Sequence, residues 1–136
     1  MTGRTGAVRA TAGVVLAHAL VNLVHGLPHA AVPVPLAAWQ NLVVALVVLA
    51  LPLAGLWLVW RGDRRVGGVA ILLGGLGSAV FGTYYHFISA TPDNVANVTG
   101  TWSLPFLLTS AGISGLAVAT AGVGAWLLVA ERPSGG

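Results

Sequence analysis

Cysteine is missing from this chain, and so is lysine. Without cysteine there are no disulfides, no thiolate ligands and no thiol nucleophile. The one methionine is Met1, so a thioether site for Cu(I) has nothing to be built from. Charge is scarce: 7% of the 136 residues are charged, where soluble domains carry about 25%. That deficit is too large for an ordinary soluble surface. The six basic residues are all arginine. They form no basic tract with polar or aromatic interleaving, so nothing points to nucleic acid. A Gly-rich phosphate loop, paired carboxylates and a Ser-His-Asp order are also absent, which removes the usual hydrolase, nucleotide-binding and kinase readings. No catalytic signature remains, and whether the chain is an enzyme stays open. No internal repeat argues for an inverted-repeat transporter.

What the chain has is apolar length, with 57% hydrophobic residues. A bilayer core needs about 20 mostly apolar residues as helix. Four stretches qualify, at 7–27, 36–60, 66–89 and 103–130, within a single transmembrane domain spanning 1–136. Ala17-His18-Ala19 mimics a signal-peptide cleavage site, but the apolar run continues beyond it, so the first stretch reads as a span. Pro28, Pro33 and Pro35 are expected to end the first helix. Arg61-Gly62-Asp63-Arg64-Arg65 separates the second and third, with Asp63 read as a solvated loop charge. Thr91-Pro92-Asp93-Asn94 through Gly100-Thr101 separates the third and fourth. Thr101 or Ser103 can cap the last helix, with Pro105 in its first turn. Pro52 should kink the second helix.

Such short connections predict an all-α, four-transmembrane-helix, up-down-up-down bundle. Arg4, Arg9, Arg61, Arg64, Arg65 and Arg132 all fall on one side. The positive-inside rule makes that side cytoplasmic and puts both termini there. Trp57, Trp60 and Trp126 mark the inner helix ends, and Trp39 and Trp102 the outer ones, as interfacial belts do. The expected setting is the cell membrane, with lipid as the principal partner.

Small residues let membrane helices approach closely. Gly74, Ser78 and Gly82 recur at steps of four on the third helix, and Ala111, Gly115 and Ala119 on the fourth, with Gly112, Gly122 and Gly124 nearby. These stripes predict close packing between helices, and the same stripes can drive a homo-oligomer.

Polar residues at membrane depth are costly and turn toward the bundle interior. His18, Asn22, His25 and His29 fall on one face of the first helix at spacings of four, three and four. His86 stands near the outer end of the third, in Tyr84-Tyr85-His86-Phe87. Gln40 and Asn41 open the second helix at the same depth, and Asp93 follows His86 in Pro92-Asp93-Asn94-Val95.

Three readings compete. In the first, His25, His29 and His86 ligate a transition-metal ion, with His18 deeper on the same path. Asn22, Gln40, Asn41, Tyr84, Tyr85 and Asp93 then support it. Imidazole without thiolate suits Zn, Cu(II), Fe or Ni. In the second, His25 or His18 pairs with His86 across a b-type haem, making a membrane electron carrier with a quinone partner. In the third, the histidines only hydrogen-bond between helices of a structural or partner-binding subunit, at about 1 kcal/mol each. A proton path along the stripe is a further use, because histidine titrates near neutral pH.

Overall fold

The computed structural model describes residues 2–32 and 34–130, and its regular structure is all helical. Four helices are long and apolar enough to cross a membrane. We name them α1 (Thr2–Ala31), α2 (Ala38–Arg61), α3 (Arg64–Ile88) and α4 (Gly100–Ala130). Pro33 and Arg132, to which the sequence assigned a helix stop and a basic flank, lie outside the described residues.

Helix α1 does not stop at Pro28. It continues to Ala31 with Pro28 inside it, and the amide of Val32 closes the last turn on the Pro28 carbonyl at 2.9 Å. An apolar setting makes an unpaired backbone group so unfavourable that a helix persists around one missing donor. The extra turn matters, because it carries His29 on the same helical face as His25.

In α2 the expected break at Pro52 takes the form of a π-helical stretch, Val44–Ala50, immediately before the proline. Wider turns redistribute the hydrogen bonds around the missing N–H. A second π turn, Tyr84–Ile88, finishes α3. Asp63 is solvated as expected and also caps α3: its carboxyl accepts the Val66 amide at 3.1 Å. Gly62 precedes it with φ 106°, the left-handed conformation that glycine adopts at a helix C-terminus. Ser103 donates to the Gly100 carbonyl at 2.9 Å, behind the 3₁₀ turn Gly100–Trp102 that opens α4.

The helices meet through glycine. A Cβ at Gly67 would lie 2.6 Å from the Gly55 carbonyl oxygen, and one at Gly74 would lie 2.7 Å from Pro52 Cδ. One at Gly77 would lie 2.5 Å from Val47 Cγ1, so rising numbers on α3 meet falling numbers on α2. Against α4, a Cβ at Gly75 would strike the backbone of Ala121, and one at Gly124 the backbone of Leu72. The stripe Ala111, Gly115 and Ala119 does not make this contact. It faces outward, and the inward residues are Ala117, Ala121 and Gly124. Helix α3 is the hub of these contacts.

Two apolar clusters frame the molecule. Near the arginine end, Val15, Val59, Ile71 and Leu127 form a buried cluster with one residue from each helix. At the other end, Val34, Val98 and Phe106 pack together under the two connections, with Val32 and Val95 beside them. All five tryptophans face outward, and the Arg61 guanidinium lies 5.5 Å above the Trp57 ring. The histidines lie between the two clusters.

Candidate metal centre

The geometry gathers three of the four histidines. His25 and His29 stand one turn apart on α1 with ring centroids 4.7 Å apart, and His86 comes across from α3 to 4.8 Å from His25. One ring nitrogen from each lies within 4.8 Å of those of the other two. Nitrogens sharing one tetrahedral ion at bonds near 2.0–2.1 Å sit about 3.3 Å apart. Closing on an ion therefore asks for side-chain shifts of about 1–1.5 Å, within reach of small χ rotations.

The loop after α3 folds back over this group. The Val95 amide bonds to the His86 carbonyl at 2.9 Å, and Asn94 Nδ2 donates to Ser89 O at 2.9 Å. The result is that Asp93 returns to His86. Its Oδ1 lies 3.2 Å from His29 Nε2 and 3.3 Å from His86 Nδ1, although no hydrogen bond of good angle reaches it. His25, His86 and Asp93 are 5%, 6% and 4% exposed.

Hydrogen bonds assign the tautomers of two rings. The Thr109 hydroxyl donates to the Pro105 carbonyl at 2.7 Å. Its single proton is thereby used, so at 2.6 Å from His25 Nδ1 it acts as the acceptor. His25 then carries its proton on Nδ1 and presents a lone pair at Nε2, which is buried and has no partner. His86 Nδ1 lies 3.2 Å from the main-chain carbonyl of Asp93, which can only accept. Its lone pair is likewise at Nε2. An oxygen acceptor on one imidazole nitrogen, with the other left free, is the arrangement found behind histidine metal ligands.

Phe106, fully buried, closes the site from α4. Its ring centroid lies 4.9 Å from that of His25, 5.1 Å from His29 and 5.6 Å from His86. His25, His29 and His86 also line a cavity of about 270 Å³, together with other residues of α1, α2 and α3 and Ile113 of α4.

Comparison with known proteins finds no match. Neither a family model nor any curated protein or solved structure is similar to the chain.

The remaining candidates divide. His18 is not brought to the group: it lies two turns deeper, with Nε2 2.9 Å from Ser78 Oγ. Asn22 and Asn41 line the cavity, and Asn22 also holds the His18 carbonyl at 2.8 Å. Gln40 is used elsewhere, because its Oε1 accepts the Ala37 amide at 2.7 Å at the start of α2. Tyr84 and Tyr85 line a separate outward groove between α2 and α3, where Tyr85 packs on Phe81 and Trp39. Thr109 and Phe106 were missed. Two adjacent hydroxyls, Thr109-Ser110, inside an apolar helix were the available signal. Nothing among the described residues supports haem, whether paired through His25 or His18: the His25 and His86 rings touch edge to face at 75°, and His18 is bonded to Ser78.

Proposed function

We propose that this chain is an integral membrane protein that binds a divalent transition-metal ion through His25, His29 and His86, with the Asp93 carboxyl held against the rings of His29 and His86. One observation carries the reading. Three buried polar atoms without a hydrogen-bond partner, His25 Nε2, His29 Nδ1 and Asp93 Oδ1, belong to a single contiguous group of side chains. Buried polar atoms are rarely left unsatisfied, and a bound ion is one of the recognised reasons when they are. Three imidazole nitrogens suit zinc, iron or copper(II) and disfavour magnesium and calcium.

The arginines support an up-down-up-down arrangement with both termini cytoplasmic, and the centre then faces the extracytoplasmic side. Zinc content of protein purified without a histidine tag tests the reading. We expect about one ion per chain for the wild type and for His18→Leu. His25→Ala, His29→Ala and His86→Ala should each fall below about a fifth of that. A wild-type content under about a tenth of an ion per chain after reloading refutes the assignment.

A further inference from the structure

The cavity beside the histidines has walls of two kinds. One is polar and includes His25, His29, His86 and Asp93. The rest is mostly apolar, with Val44, Val48, Phe81 and Ile113 among the lining. Its volume of about 270 Å³ equals that of about nine water molecules. An ion alone does not need such a space, and an apolar wall does not hold water well.

The burial pattern locates the mouth. Of the cavity's lining residues, Gly26 on α1 and Asn41 on α2 are the exposed ones. They belong to the two helices α1 and α2 that border the cavity. At Gly26 an added Cβ would meet no atom within 4 Å, so the wall there is open. On α2, Ala38–Val43 buries no residue at all, and of Val44–Ala50 only Val48 is buried. The end of the molecule, by contrast, is closed by Val34, Val98 and Phe106. Gly26 lies five residues before Ala31, about 7–8 Å down the helix, and Asn41 three residues after Ala38, about 4–5 Å down. In a bilayer that depth is the boundary between headgroups and acyl chains.

We infer that the centre takes a membrane-dissolved amphiphile, entering sideways between Gly26 and Asn41, with an oxygen-donor headgroup that reaches the metal and an apolar body that fills the cavity. This rests on the metal reading above and deepens it. A three-histidine ion leaves a coordination position for an outside donor, and one ring nitrogen from each of the three histidines lies within 4.8 Å of the others beside this cavity. Water-soluble ligands without an apolar body would leave the valines and Phe81 uncovered.

Alkyl hydroxamates, which chelate zinc through two oxygens, provide the probe. Acetohydroxamate and hexanohydroxamate would be titrated into zinc-loaded protein in nanodiscs, for the wild type, Gly26→Leu and Gly13→Leu. Gly13 is exposed on the same helix and also has no atom within 4 Å of an added Cβ, so it controls for folding and for partition into lipid. A buried methylene is worth about fourfold in affinity. We expect hexanohydroxamate to bind the wild type and Gly13→Leu at least about tenfold more tightly than acetohydroxamate. In Gly26→Leu the difference should shrink to about threefold or less, with zinc content unchanged. Equal binding of the two probes, or an undiminished difference in Gly26→Leu, overturns the inference while leaving the metal centre standing. Absence of zinc from the wild type overturns both.

Discussion

The hydroxyl of Thr109 has one proton, and it goes to the Pro105 carbonyl. The oxygen then accepts from His25 and holds that ring, which lies against His29 and His86. Thr109→Val keeps the shape and removes the acceptor, so zinc affinity should fall by about 10–100-fold, and Thr109→Ser should restore it. Competition against a chelator of known affinity measures both. Sequence pattern exposed the candidate ligands and hid their support. His25 and His29 stand out because four residues is one helical turn, and His86 because a polar ring in an apolar helix is rare. Thr109 looks like any threonine bonded back to its own helix, and only the register of α4 against α1 gives it a second partner. Asp93 was visible as a lone acid near His86, but the turn that brings it back is fixed by Asn94 and Val95. Gln40 misled because amides that line a site and amides that cap a helix look alike three residues into a helix.

Among the helices, glycine placement decides which faces touch. Gly75 packs directly on the backbone of Ala121, whereas Gly115 has open space around it. Gly75→Val should lower the stability of detergent-solubilised protein by about 3 kcal/mol or more, since backbone cannot yield as a side chain does. Gly115→Val should stay within about 0.5 kcal/mol. Thermal unfolding of the two variants side by side gives the comparison. The stripe Gly74, Ser78, Gly82 was legible as a packing surface but not as three different ones. Gly74 meets Pro52 of α2, Ser78 meets His18 of α1 and Gly82 meets Ile113 of α4. A step of four residues drifts about 40° around a helix, so two steps rotate the stripe from one neighbour to the next. On α4 the sequence is so rich in alanine and glycine that several stripes look alike, and spacing alone did not separate the outward one from the inward one.

For the molecule as a whole, the four apolar helices were the most legible feature, because length and hydropathy state the requirement of a bilayer directly. Their ends were less so, since a proline such as Pro28 stops a helix in water more readily than in lipid. Orientation can be read in a chain that has no native cysteine to interfere. Ala96→Cys, in the loop near the histidines, should react with a membrane-impermeant maleimide on intact cells, and Ala130→Cys only after lysis. The reverse pattern would turn the proposed orientation over. The π stretch Val44–Ala50 has a consequence at this scale as well. A π turn takes up about one more residue than an α turn, a phase change of about 100°. The two ends of α2 are therefore indexed independently: one is keyed to the glycines of α3, and the other is turned to present Asn41 to the cavity. A single strand of helix thus serves two unrelated alignments, and the seven residues between them are the joint that lets each be set without disturbing the other.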